Sequence, residues 1–454
     1  MEKINQKLNR LFFSCFKIIP LLTAGLILFF SDFAQASAVI ISDEETESYL
    51  QNLLQPIYSA AGVSFNRNKI FILSDNSLNA FVSDGNDLFI HSETILQAKS
   101  DDEIRGVLAH EVGHIQGGHI LRHKLRIQEM QNLSLASMVA AVALGAASGR
   151  GDVAAAIALG SHSSLLNQSL SYQIQEERSA DEAAVSLLKK THHSPKGLLE
   201  FMKKIQTQNK LQGIQENPYF RTHPMSAERL AFLQQAVTQS SYPPEKSKSN
   251  ALKRIQAKLY AFIKTPQQTA YKYPISDTSI EAYYARTIAA FKSLNFNKAL
   301  RLTEHLMQQD SNNPHFHELK GQILFESGKI KESQKEFLQA IQILPKSALF
   351  KIDAAQATLE LSPSAKELQS TIIHLQQVLT SRPSSIAWLL LAKAYHLAGK
   401  DTDAKYASAQ YSLHTGDIDL AQKQAEDAQK NCTQPQLRLK IEDLLNLIKD
   451  IKKS

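Results

Sequence analysis

The stretch Leu108–Ile120, LAHEVGHIQGGHI, sets His110 and His114 four residues apart around Glu111. On an α-helix residues at that spacing share a face, so both imidazoles can reach one ion while Glu111 projects from an adjoining direction. The surrounding residues are those of a helix. Ser100 and Glu103 stand in capping-box spacing, and Asp101, Asp102 and Glu103 suit a positive helix N-terminus. Ile104, Val107, Leu108, Val112 and Ile115 recur at helical intervals. The expectation is one Zn2+ per chain. Zinc would lower the pKa of a bound water towards neutrality, and Glu111 would take that water's proton as it attacks a carbonyl.

Two histidines need a third protein ligand. In the pattern H-E-x-x-H-x-x-G-x-x-H, Gly117 is in register, but the last position here is Ile120. His119 and His123 are therefore expected to face solvent or to back a ligand from behind. The other source is a later acidic helix, Gln175–Ala184. There Glu177 and Asp181 lie four apart on one face, Glu177 to ligate and Asp181 to hydrogen-bond a ligand histidine and hold its tautomer. Ala180 and Ala184 would let the two helices approach closely.

The N-terminus reads as a targeting segment. Lys3, Lys7, Arg10 and Lys17 precede the apolar run Ile18–Phe30, and Ala34-Gln35-Ala36 gives a small-residue cleavage pattern before Ser37. The competing reading is an uncleaved anchor, although the run is short for a membrane span. Without residues 1–36 the net charge falls from +6 to +4, too mild for a nucleic-acid footprint, and Cys432 alone remains, which rules out an internal disulfide. An exported chain of this size would draw its stability from its core.

The rest of the 454 residues divides into several segments. Ser42–Ala60 reads as a helix with Ser42 and Glu45 in capping-box spacing. Ile70–Leu73 is a short apolar run. Ala80–Val82, the turn Ser83–Asp87 and Leu88–Ile90 read as a hairpin. Residues 131–166 read as an apolar helical hairpin, with arms Met138–Ala147 and Val153–Leu159, either buried or acting as a lid or a peripheral membrane contact. Further helices follow in 168–235, with a loop at Asn217–Met225. Ser240–Ser249, rich in Pro, Ser and charge, marks a boundary, and a bridging helix near 250–264 follows. From about 280 the chain is repetitive. Trp388, Leu391, Ala392, Tyr395 and Ala404 fit the tetratricopeptide pattern, as do Gly321, Phe337, Ala340 and Pro345 one unit earlier. Tyr283 and Ala299 fall at the matching places in a first unit, Pro345–Pro383 holds a divergent pair, and Gly416–Cys432 with Gln434–Lys452 closes the array. About four units with a helical cap are expected. The expected organisation is an α+β, mostly helical zincin-type domain with a small sheet over 37–240, a linker and bridging helix over 241–279, and an all-α repeat array over 280–454.

His110-Glu111-x-x-His114 with Glu177-x-x-Ala180-Asp181 resembles the gluzincin family of the HtpX-type and CAAX prenyl proteases. Within it, the exported branch with C-terminal tetratricopeptide repeats matches best. The resemblance implies a zinc endopeptidase held by His110, His114 and Glu177, with Glu111 as general base. It implies that Asn79, Ala80, Phe81 and Val82, with Leu88–Ser92, form an edge-strand hairpin on which an extended substrate adds a strand. It also implies that Arg221-Thr222-His223-Pro224, with Arg229, forms a loop near the metal. His223 would there hold the enzyme latent from the fourth position or, once displaced, stabilise an oxyanion. Unfolded or misassembled envelope proteins as substrates, and an outer-membrane assembly machine as partner of the repeats, follow from the resemblance alone. A second reading keeps the repeats as the working part, a chaperone-like binding module whose zinc site is structural or shut.

Overall fold

The computed structural model describes residues 39–130, 151–212, 218–245, 248–430 and 432–453. The targeting segment and the first arm of the 131–166 hairpin lie outside the described residues. A four-stranded sheet runs in the order β1 (Val39–Ile41), β2 (Ile70–Ser74), β4 (Leu88–His91), β3 (Ala80–Val82). β2 and β4 are parallel, and the two outer pairs are antiparallel. The hairpin of β3 and β4 pairs Ala80 with Ile90, Phe81 with Phe89 and Val82 with Leu88. Alternation buries Ala80, Val82, Leu88 and Ile90 on one face, while Phe81, Phe89 and Phe71 stack on the other with centroids 5.0 Å apart. Because β3 ends the sheet, its outer edge carries no partner strand among the described residues.

Three helices fix the N-terminal half: α1 (Glu44–Ala61), the short α2 (Ser92–Gln97) and α3 (Asp101–Gly117). The expected capping boxes do not form. Asp43, not Ser42, caps α1, accepting from Thr46 N at 2.9 Å. Ser100 stands at the N-cap of α3 without a side-chain bond, and Glu103 pairs instead with Lys204. α3 is buried along nearly its whole length, from Asp101 to Ile115. It is followed by α4 (residues 119–130), α5 (Gly151–Lys190), α6 (Lys196–Gln212), α7 (Pro218–Thr222) and α8 (Ala227–Thr238). The second arm of the expected hairpin is the start of α5, a continuous helix of 40 residues. Among the described residues no helix is long and apolar enough to cross a membrane.

The boundary region is tied down. Glu245 N donates to Asp102 Oδ2 at 2.8 Å, and Ser249 donates to Asp101 through backbone and hydroxyl. The bridging helix α9 (Asn250–Ile263) belongs to both halves. Leu252, Ile255 and Leu259 join the core of the N-terminal half, while Ala257 and Ala261 join the core of the first repeat. After α10 (Pro266–Lys272), ten helices form five consecutive pairs: α11 (Ile280–Lys292) with α12 (Phe296–Gln309), α13 (Pro314–Glu326) with α14 (Ile330–Ile343), α15 (Ala348–Glu360) with α16 (Ala365–Ser381), α17 (Ser385–Leu397) with α18 (Asp401–His414), and α19 (Ile418–Lys430) with α20 (Pro435–Ile451). Their first helices start 34, 34, 37 and 33 residues apart. The long spacing falls on the divergent pair, where α16 has 17 residues against 14 in α12, α14 and α18. Gly321 shows why a small residue belongs at its position. A Cβ there would lie 2.5 Å from the Phe337 ring.

The two halves meet across a polar seam at the N-terminus of α1. Glu45 accepts from Tyr284 (3.0 Å) and Arg254 (3.1 Å), Glu44 accepts from Ser347 (2.7 Å), and Arg382 grips Glu47. Buried Lys258 pairs with Asp43 and lies 3.7 Å from both Glu45 and Glu318. One cation serves three carboxylates. Burial, only partly offset by Lys258, pushes Glu318 up to about 7, and burial beside Glu318 pushes Asp353 up too. A carboxyl whose folded pKa exceeds its unfolded value favours the folded state when protonated, so this contribution is lost as pH rises through about 7. Glu318→Gln is therefore expected to raise the thermal midpoint of the full chain at pH 8 and to change it little at pH 5. Melting curves at the two pH values check this, and equal shifts at both would contradict it.

Candidate metal centre

Two helices carry the centre, and their distance is set by small residues. Gly113 of α3 lies against α5 at Ala180, where a Cβ would be 2.8 Å from the Ala180 carbonyl oxygen. This contact brings His110 and His114 on α3 to Glu177 and Asp181 on α5. His110 Nε2 lies 3.1 Å from His114 Nε2 and 3.3 Å from Glu177 Oε2, and His114 Nε2 lies 3.2 Å from Glu177 Oε1. His223, delivered just after α7, places Nδ1 3.0 Å from Glu177 Oε1 and 3.4 Å from His110 Nε2. Donors bound tetrahedrally to zinc at about 2.0–2.1 Å stand roughly 3.3 Å from one another. The set His110, His114, Glu177 and His223 has that spacing, and all four residues are buried. The oxygens of Glu111 are buried and lack a hydrogen-bond partner among the described residues, with His223 Nε2 3.6 Å from one of them. A carboxylate left in that state fits a site completed by a metal and its solvent ligand.

Behind the candidate ligands a second set of contacts holds them. His110 Nδ1 stands 2.9 Å from Asp181 Oδ1, close but off the N–H axis. Arg229 grips Asp181 through Nε (2.7 Å) and Nη2 (3.0 Å), and its Nη1 reaches Glu177 Oε2 and the Pro224 carbonyl, each at 2.8 Å. One guanidinium thus joins α5 to the His223 loop. Ser226 keeps it in place by capping α8 at the Arg229 N–H. Burial disfavours charge on His110, yet contacts with Asp181 and Glu177 raise it to about 10. Burial pulls His114 down to about 3 and His119 to about 4. Glu177 is held well below the carboxylate range, against its burial, chiefly by His223 and by hydrogen bonds to His110 and His114. Burial pushes Glu111 up.

The proposed edge strand is placed beside the centre. Phe81, Val82, Ile120, Ile127 and Glu176 help line a cavity of about 870 Å³ that also exposes Glu111, His114, Glu177 and His223. Asn79 falls just before the strand. Its backbone N–H is taken by Thr94 and its carbonyl by His91 N and Thr94, so it has no free edge groups to offer. Ala80 offers its carbonyl to His223 Nε2 at 3.2 Å. His123 is half-buried at the cavity wall, and His119, which also borders the cavity, is buried against His114. Sequence reasoning passed over Tyr219, whose buried ring lies 4.6 Å from that of His223 at 30°. Its spacing of four residues before His223 was the available signal.

Residues 44–237 match the model of peptidase family M48. That segment is an M48 peptidase domain, and its class is that of a metalloprotease. The relatives it resembles include the putative beta-barrel assembly-enhancing protease of Vibrio cholerae (24% identical over 207 residues, 46% of this chain and 42% of that one). The beta-barrel assembly-enhancing protease of Escherichia coli K12 is 23% identical over 43% of this chain and 40% of its own. Metalloprotease YcaL of Escherichia coli K12 is 29% identical over 37% of this chain and 61% of its own. The matched segment spans only about two fifths of the first two relatives' length. Among solved structures, a tetratricopeptide-repeat protein of Thermus thermophilus is 14% identical with a TM-score of 0.26, covering 42% of this chain and 91% of that one.

Arg229→Leu would leave Asp181 and Glu177 buried without their cation. Breaking such a pair costs about 3–5 kcal/mol. The expected result is a lower thermal midpoint together with lower bound zinc, measured by melting and by elemental analysis. Arg229→Lys should restore little, because an ammonium cannot fork across Asp181.

Proposed function

We propose that this chain is an exported zinc-dependent endopeptidase that degrades misfolded or misassembled envelope and outer-membrane proteins. The observation that carries the reading is the convergence of His110, His114, Glu177 and His223 at tetrahedral spacing beside unpartnered Glu111. Zinc, when bound, would supply Lewis acidity to the scissile carbonyl and to the attacking water. His110, His114 and Glu177 would hold it. Glu111 is the one carboxylate at the cavity without a fixed partner among the described residues, and it would take the proton of the attacking water and return it to the leaving amine. An extended substrate segment would pair along the outer edge of β3 at Ala80–Val82.

His223 closes this site in two ways. Its Nδ1 sits where the fourth metal ligand belongs, and its Nε2 meets the Ala80 carbonyl on the edge that a substrate would use. We read this as the latent state. Leaving it requires the loop after α7 to move His223 off Glu177 and off β3 together. The repeat array would supply substrate or bind an assembly machine, a role supported by the names of the relatives and by the array's direct contact with α1. Export rests on the targeting pattern before Ser37. The closed fourth position also favours a second reading, a chaperone-like repeat protein whose peptidase site stays shut.

Cleavage of casein by the full chain separates the two. Zinc-loaded Glu111→Gln is expected to lose about 10²–10⁴-fold in rate with its metal retained. His223→Ala is expected to raise the rate roughly tenfold or more, by a factor set by how rarely the latch opens. No cleavage by either the wild type or the His223→Ala protein would favour the binding-module reading.

A further inference from the structure

The two glycines after α3 have separate tasks, and both concern His119. Gly118 has φ +63° and caps α3, its N–H bonding back to Ile115 and His114 carbonyls. This turn brings His119 under the end of the helix, 2% exposed, with its Nδ1 2.9 Å from Nδ1 of His114 and the rings nearly perpendicular at 82°. Gly117 makes the room. A Cβ on it would fall 2.4 Å from His119 Nε2 and 2.7 Å from Cδ2, in clash with the imidazole. Among the described residues the contact with His114 is the one hydrogen bond the His119 side chain makes, and its Nε2 has no partner.

We infer that His119 is a positioning residue for the metal centre, accepting the Nδ1 proton of His114 and so fixing the tautomer whose Nε2 faces the ion. This rests on the zinc reading above. An imidazole that ligates through Nε2 must carry its own proton on Nδ1, and that proton needs an acceptor. At His114 the acceptor is the Nδ1 lone pair of His119, which obliges His119 to carry its proton on Nε2. The two ligand histidines are thus backed differently. His110 faces a carboxylate already bound to Arg229, and His114 faces a neutral imidazole. The neutral partner pushes less electron density onto the metal than a second carboxylate would.

Zinc competition against a chromogenic chelator tests this on the full chain, with melting of the metal-free proteins alongside. His119→Leu is expected to weaken zinc binding by roughly 10–100-fold. His119→Asn, whose Oδ1 can reach the place of Nδ1, should stay near wild type. Gly117→Ala, which keeps His119 but displaces its ring, should fall with the leucine variant and replaces it in the comparison if that variant does not fold. Wild-type affinity in the leucine variant, or equal losses in the leucine and asparagine variants, would overturn the inference, the second by showing that filled space rather than a hydrogen bond matters. A wild-type chain that takes up no zinc sinks the metal reading itself, an outcome distinct from both.

Discussion

The close crossing of α3 and α5 is the constraint from which the site follows. Gly113 against Ala180 lets two backbones meet at a distance no larger pair would allow. Everything chemical is arranged around that contact. His110 and His114 sit a turn apart on one helix, and Glu177 and Asp181 a turn apart on the other. Had the helices stood a few ångströms further apart, the carboxylate of Glu177 could not reach both Nε2 atoms. The burial that follows is what makes the cluster costly to leave incomplete, because His110, His114, Glu177, His223 and Glu111 are removed from water together.

Arg229 reconciles that burial with so much negative charge. By touching Asp181, Glu177 and the Pro224 carbonyl at once, it neutralises α5 and anchors the loop that carries His223. The loop is then held at its base while its histidine reaches the edge of β3. A segment anchored at one point and touching two others fits the proposed latch, since a small movement of the loop would release both the Glu177 and the Ala80 contacts. Tyr219, its ring tilted at 30° against that of His223, supports this position of the histidine from inside the core.

The seam between peptidase and repeats follows a different logic. The acidic first turn of α1, which in an isolated helix would favour its own positive N-terminus, is shared with Lys258, Arg254 and Arg382 from other helices or their ends. Glu44, Glu45 and Glu47 thereby bind the array at Ser347, Tyr284 and Arg382, in its third, first and third-to-fourth units. With α9 contributing to both cores, the repeats are built onto the catalytic half rather than tethered to it.

Local signals along the chain carried much of this. Helical spacing around His110 and His114, the Glu177–Asp181 pair, the β3–β4 hairpin and the repeat positions at Gly321, Phe337 and Trp388 are short-range patterns, and periodicity determines them before any packing occurs. The capping boxes at Ser42 and Ser100 were legible yet wrong, because Glu45 and Glu103 were drawn to Arg254 and Lys204, partners 209 and 101 residues away. β1 had no signal beyond three apolar residues, since a strand so short exists only by pairing with β2. His119 was the hardest to read. Its spacing misses the register of a third ligand, and only the left-handed turn at Gly118 and the space left by Gly117 carry it back to His114. The sequence by itself determined which side chains share a face of each helix, because that depends on the backbone period alone. Tertiary structure decided which faces meet, which acid finds which base and where the loop histidine lands, because those depend on distances between segments that no local pattern encodes.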